Sequence, residues 1–240
     1  MSLLSLINSA CWIEPQNGIV TIPDGTIEIP TSAFHDPDAN TCCDATITAV
    51  TFPTSGLTTI GALSFKKCTG ITTITFPTSV TSIGSSAFEG CTELATADLP
   101  PSITVVSQGL FRSCSKLQTQ VIPALVTKVM SLAYMDCSGL TSVTFPTGLK
   151  SILWDSFHGC RELTSVVLPD GLEQLGGYAF MGCLKLESIN IPVGITKFET
   201  QVFKNCQSLV SLTLPSVFTA IGSMCFQGCS QLEAINLPST

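Results

Sequence analysis

Over much of the chain, apolar positions alternate with Ser or Thr for three or four residues and then stop at a proline. In Ile71-Thr-Thr-Ile74-Thr-Phe76-Pro77, Ile74 and Phe76 alternate with Thr73 and Thr75, the period-2 pattern of a short strand with one buried face. Pro77 has no N–H to offer a ladder and ends that strand. A second apolar group follows in Val80, Ile83, Ala87, Phe88 and Cys91. Gly84 permits a turn, and Ser85-Ser86-Ala87-Phe88 predicts a single helical or 3₁₀ turn that directs Phe88 inward. So few apolar residues cannot enclose a core alone. Units of this kind must stack and share one.

The unit does recur. Cys68, Cys91, Cys114, Cys137, Cys160, Cys183, Cys206 and Cys229 are spaced by 23 residues without exception. Three residues before each stands an aromatic (Phe65, Phe88, Phe111, Tyr134, Phe157, Phe180, Phe203, Phe226), and nine after each stands a proline. The frame extends upstream, where Pro23 to Phe34 repeats the spacing of Pro77 to Phe88, Ile29 matches Ile83, and Ser9-Ala10-Cys11 aligns with Ser86-Ala87-Phe88. The chain therefore reads as one domain over residues 1–240. Residues 1–22 are a degenerate N-terminal turn and 23–240 hold about nine repeats, with an insertion at 35–44 where the Phe34-to-Phe65 interval stretches. The sequence stops at Pro238-Ser239-Thr240, just after a strand and without the polar cap a repeat array normally carries. That predicts a longer parent protein or a paired end.

The unit resembles the BspA-like leucine-rich repeats, which read Leu-x-x-Ile-x-Leu-Pro-x-x-Leu-x-x-Ile-Gly-x-x-Ala-Phe-x-Gly-Cys. Val166-Val-Leu-Pro-Asp-Gly-Leu172 and Leu175-Gly-Gly-Tyr-Ala-Phe-Met-Gly-Cys183 follow this almost position by position, with Leu175 in the isoleucine slot. The likeness covers roughly residues 17–240. It implies an α/β repeat solenoid: a right-handed leucine-rich-repeat coil with a parallel β-sheet on one face and short helical, 3₁₀ or irregular segments on the other. Coils should stack at about 5 Å, the spacing of paired strands. The resemblance also implies a non-enzymatic protein-binding scaffold of the cell-surface adhesion or host-interaction type. Its partner would be a protein, such as a host matrix or cell-surface protein, or a glycan. The alternative is an intracellular structural or protein-interaction module with no adhesion role. A cell-surface or extracellular location follows from the resemblance alone. Met1-Ser-Leu-Leu-Ser-Leu-Ile7 lacks the basic n-region of a signal peptide, which leaves the cytoplasm open.

Composition narrows the partners. With 45% hydrophobic and 11% charged residues, the chain is too apolar to be disordered, yet no apolar run approaches the ~18 residues of a membrane span. A net charge of −7, with ten scattered basic residues, argues against nucleic acid. The eight periodic cysteines fall inward beside the aromatic and read as a ladder of free structural thiols, ahead of disulfides or metal. His35, Asp36, Asp38, Cys42, Cys43 and Asp44 form the one cluster of potential ligands. Its vicinal cysteines fit no tetrahedral zinc spacing, so neither a metal nor a cofactor is expected. His158 shares its slot with Lys66, Glu89, Arg112, Met135, Met181, Lys204 and Gln227, which reads as surface. No nucleophile or phosphate-loop motif is present, and the chain is not expected to be an enzyme.

The solvent-facing side of the strands is the functional candidate. One outward column runs Ala49, Thr73, Thr96, Thr119, Ser142, Ser165, Ser188, Ser211, Ala234, and the other Thr51, Thr75, Asp98, Val121, Thr144, Val167, Asn190, Thr213, Asn236. Val121 and Val167 are the apolar exceptions in the second, and exposed apolar groups in polar surroundings mark contact sites. Thr119, Val121, Ser142, Thr144, Ser165 and Val167 are therefore the candidate partner-binding residues. The competing explanation is that Ser and Thr simply tolerate strand positions.

Overall fold

The computed structural model describes residues 12–35 and 46–236. Asp36, Asp38, Cys42, Cys43 and Asp44 of the predicted insertion, the Ser9-Ala10-Cys11 match and the chain end at Pro238 lie outside these. Two stacks of short strands run the length of the coil. The first holds ten strands, from Ile19–Thr21 to Ala234–Asn236, and the second nine, from Glu28–Ile29 to Ala220–Ile221. Every pair of strands is parallel. The register follows the repeat: Thr73 faces Thr96, and Ile29, Ile60 and Ile83 face one another in sequence. Ile29 thus takes the same slot as Ile83. Within the stretch read as a degenerate turn, Ile19–Thr21 pairs with Ala49–Thr51, and Val20 is wholly buried.

The predicted helical turn does not form. No helix occurs among the described residues, and the fold is a parallel β-solenoid rather than α/β. The reason lies in where the backbone amides of the aromatic segment donate. Leu63, Phe65 and Lys67 N–H reach across to the carbonyls of Ser85, Ala87 and Glu89 in the next coil, at 3.0, 2.8 and 2.7 Å. The amides of Lys66 and Cys68, between and after them, turn back to Leu63 and Phe65 carbonyls at 3.1 Å. Sending every second amide outward requires left-handed residues two positions before and two after the aromatic. Leu63 (φ 59°) and Lys67 (φ 62°) supply them, as do Leu132 (65°) with Asp136 (58°) and Gln201 (55°) with Asn205 (60°). A right-handed helix admits no such residues. Each costs about 1 kcal/mol or more in a non-glycine residue, and the inter-coil hydrogen bonds offset that cost.

Gly84 also plays another role than the turn expected of it. Its φ is ordinary, but a Cβ there would lie 2.3 Å from the backbone nitrogen of Ala62, so glycine is what lets two coils close up. Between the stacks runs a file of rings, Phe34, Phe65, Phe88, Phe111, Tyr134, Phe157, Phe180, Phe203 and Phe226, with successive centroids 5.0–6.0 Å apart. That spacing meets the coil repeat expected from strand pairing. All but Phe226 are fully buried, so the aromatics point inward as predicted although the turn that carries them is not helical.

Candidate functional site: the solvent face of the strands

The strand face is built from alternation. In Thr119–Val121, Ser142–Thr144 and their counterparts the middle residue turns inward and its two neighbours face solvent. All six predicted contact residues are exposed. Thr119 lies opposite Ser142 and Val121 opposite Thr144, whereas Ser165 pairs onward with Ser188. Val121 is 67% exposed and Val167 76%.

The face opens into a shallow concavity of about 600 Å³ farther along than the predicted patch, lined among others by Ser165, Val167, Ser188, Asn190, Val193 and Thr213. Only Ser165 and Val167 of the predicted residues reach it. Its origin is local. At Ile22, Ile122 and Leu214 the residue after the strand donates to the next coil's backbone, to the carbonyls of Thr51, Thr144 and Asn236. At Leu168 the side chain of Asn190 takes over both groups: its Oδ1 accepts the Leu168 N–H at 2.7 Å, and its Nδ2 donates to the Leu168 carbonyl at 2.8 Å. With a side chain standing between the two backbones, both strands end one residue early, at Val166 and Ile189. Asn190 was visible in the outward column as one polar residue among many; its bidentate grip was not. Val193 is 69% exposed just past the strand-ending Pro192, in a slot outside the period-2 strand pattern.

Behind this face the thiols form a column. Cys91, Cys114, Cys137, Cys160, Cys183, Cys206 and Cys229 each donate Sγ–H to the carbonyl of the aromatic one coil back, at 3.0–3.3 Å. The same carbonyl accepts an amide from within its own coil, as Phe65 O does from Cys68 N–H at 3.1 Å. Cysteine is thus a small apolar residue that still fills the second lone pair of a buried carbonyl. Burial drives these thiols toward the neutral form: Cys91 is pushed up to about 12, with the Cys68 backbone amide opposing the shift. Cys68 corrects the eight-thiol reading, because it is disulfide-bonded.

His158 is also not simply surface. Its Nδ1 lies 3.0 Å from Asp155 Oδ1, with both side chains about three-quarters covered. Glu89 in the same slot bridges Lys66 at 3.2 Å and Arg112 at 3.9 Å, so this slot carries polar links between coils. Among the described residues no group of three or more His, Cys, Asp or Glu converges as a metal site, and no helix is long and apolar enough to cross a membrane.

Residues 36–161 and 127–240 match the BspA type leucine rich repeat region, in six copies. The chain belongs to the BspA-type leucine-rich-repeat family. Its coil superposes on solved structures with the same repeat architecture. A leucine rich cell surface protein from Faecalibacterium prausnitzii matches with a TM-score of 0.68 at 24% identity, over 93% of this chain and 70% of that one. The pneumococcal vaccine antigen PcpA gives 0.61 at 21% identity, over 92% and 62%. A leucine rich repeat protein of T. pallidum gives 0.52 at 26% identity, over 90% and 78%. No curated protein matches the sequence. These likenesses show the leucine-rich-repeat fold; what the strand face binds is a separate question.

Proposed function

We propose that this BspA-type chain is a single-domain, non-enzymatic scaffold that docks a protein partner on the solvent face of its strands, at a cell surface or outside the cell. The observation that carries the reading is the concavity beside Val167 and Val193, each more than two-thirds exposed on a largely polar sheet. Extended solenoid faces serve as binding surfaces because each coil adds contacts in register with the last. The F. prausnitzii relative is itself described as a cell surface protein, and the disulfide at Cys68 is of a kind that oxidising compartments sustain. The eight free cysteines among the described residues favour the second reading, an interaction module inside the cell.

The test uses the double variant Val121→Asp and Val167→Asp in a pull-down or matrix-binding assay. Both side chains point to solvent, so folding should survive. Binding energy concentrates in a few central residues, and the variant should lose most of its affinity. Should binding persist, and disappear instead when residues 35–44 are shortened, the insertion is the site and the strand-face reading falls. Labelling of intact source cells with a membrane-impermeant probe separates the two locations: a labelled chain supports the surface reading, a protected one the intracellular module.

A further inference from the structure

The apolar groove at Val167 and Val193 lies on a face whose own positions carry acids and no base. On each coil the strand face presents five solvent-facing slots: the residue before the strand, the two outward strand positions, and the two residues after the proline. Across the described coils none of these holds Lys or Arg, although the chain contains ten. They hold instead Asp24, Asp98, Asp170, Glu187 and Glu233, all exposed. None of the five belongs to an ion pair among the described residues.

The contrast with the rest of the surface is sharp. Lys116 and Lys185, just outside the face, are held by Glu93 at 2.7 Å and Glu162 at 2.6 Å from the neighbouring coil; Lys150 is held by Glu173 at 2.9 Å and reaches only the rim of the face, where it donates to the Gly171 carbonyl at 3.3 Å. Away from the strand face Glu89, Glu93, Glu162 and Glu173 are paired across coils and Glu199 with Lys197 of its own coil, whereas none of the five acids on the face has an ion-pair partner among the described residues. Two of them frame the groove. Glu187 immediately precedes Ser188 at the strand's entry. Asp170 occupies, one coil earlier, the slot that Val193 occupies at the exit.

We propose that the groove takes a basic, partly apolar polypeptide segment, with apolar side chains against Val167 and Val193 and Lys or Arg side chains against Asp170 and Glu187. The proposal rests on the reading of the strand face as a protein-docking surface and adds the chemistry of the partner. Uncompensated carboxylates steer cations toward the face and penalise anionic ligands. Sulfated or acidic glycans and nucleic acids are therefore disfavoured occupants.

The experiment selects binders from a random 12-residue display library against the intact folded chain. It then measures the enriched peptides by fluorescence anisotropy against three proteins: the unaltered chain, Val167→Asp with Val193→Asp, and Asp98→Asn with Asp170→Asn and Glu187→Gln. The enriched peptides should carry net positive charge with apolar residues. Affinity should fall about tenfold on neutralising the three acids, and should weaken as salt rises from 0.05 to 0.5 M, a change that shortens the screening length several-fold. Neutral or acidic winners, or binding that ignores the three acids while still requiring the valines, overturn the charge proposal and leave the docking face standing. Binding indifferent to the valines, or no enrichment at all, overturns both. Circular dichroism of each variant confirms that it is folded.

Discussion

The thiol column should make the protein's stability fall with alkali. Cys91, Cys114, Cys137, Cys160, Cys183 and Cys206 are buried with their S–H groups on backbone carbonyls, and removal from water holds each pKa above its ordinary value. In the unfolded chain these thiols ionise from about pH 8.5. Above that pH the unfolded state releases protons that the folded state keeps, so stability falls as pH rises, and for Cys91 the loss continues until about 12. Between pH 7.5 and 9.5 each thiol costs about 1 kcal/mol, and six together on the order of 6 kcal/mol, a large share of the 5–15 kcal/mol that holds a typical domain together. Urea melts at the two pH values, with a phosphine reductant to exclude oxidation, measure this directly. Cys137→Ala should reduce the pH-dependent loss by about 1 kcal/mol, whatever it costs at neutral pH. A change in unfolding free energy below about 1 kcal/mol over this range would refute buried, protonated thiols.

Three further substitutions test the packing. Phe157, fully buried between Tyr134 and Phe180 at 5.2 and 5.5 Å, should cost roughly 3–5 kcal/mol on replacement by alanine; a loss under ~1 kcal/mol in denaturant melts would mean the rings are not stacked in the core. The Tyr134 hydroxyl is buried without a hydrogen-bond partner, so Tyr134→Phe should raise stability by about 1 kcal/mol, and a loss of that size would show a missed partner. Gly182 has φ 70° and nothing within 3.7 Å of where a Cβ would stand, so Gly182→Ala isolates the cost of a left-handed residue, about 1 kcal/mol in the same melts.

The fold was legible in the sequence where one period governs everything. The Cys68-to-Cys229 spacing places the strands and rings from Phe65 onward in register, and prolines such as Pro77 mark where strands stop. The failure at Ser85-Ser86-Ala87-Phe88 is instructive. Local propensity allows a helical turn there, but each coil offers its neighbour a row of carbonyls, and amides that can reach them do so even at the expense of left-handed backbone at Leu63 or Tyr178. Nothing in a single unit reveals that competition, because the partner lies in the next one. Gln120 is a second case: it points inward where other coils carry Ile74, Val143 or Ile189, and its Nε2 donates to the carbonyls of Ala97 and Val121 at 3.3 and 3.1 Å. The candidate surface was partly legible. Val121 and Val167 stand out against the Ser and Thr columns. The groove does not, because it depends on Asn190 gripping Leu168 across two coils, and Val193 escapes any search confined to strand positions.

The claim that the strand face is where this protein binds is tested most directly by hydrogen exchange of the intact chain, alone and saturated with a basic peptide selected against it. Protection should appear in residues 165–167 and 188–193, extend weakly to 119–121 and 142–144, and be absent from the aromatic turns at 131–137 and 154–160. Protection confined to those turns or to the second strand stack would contradict the account.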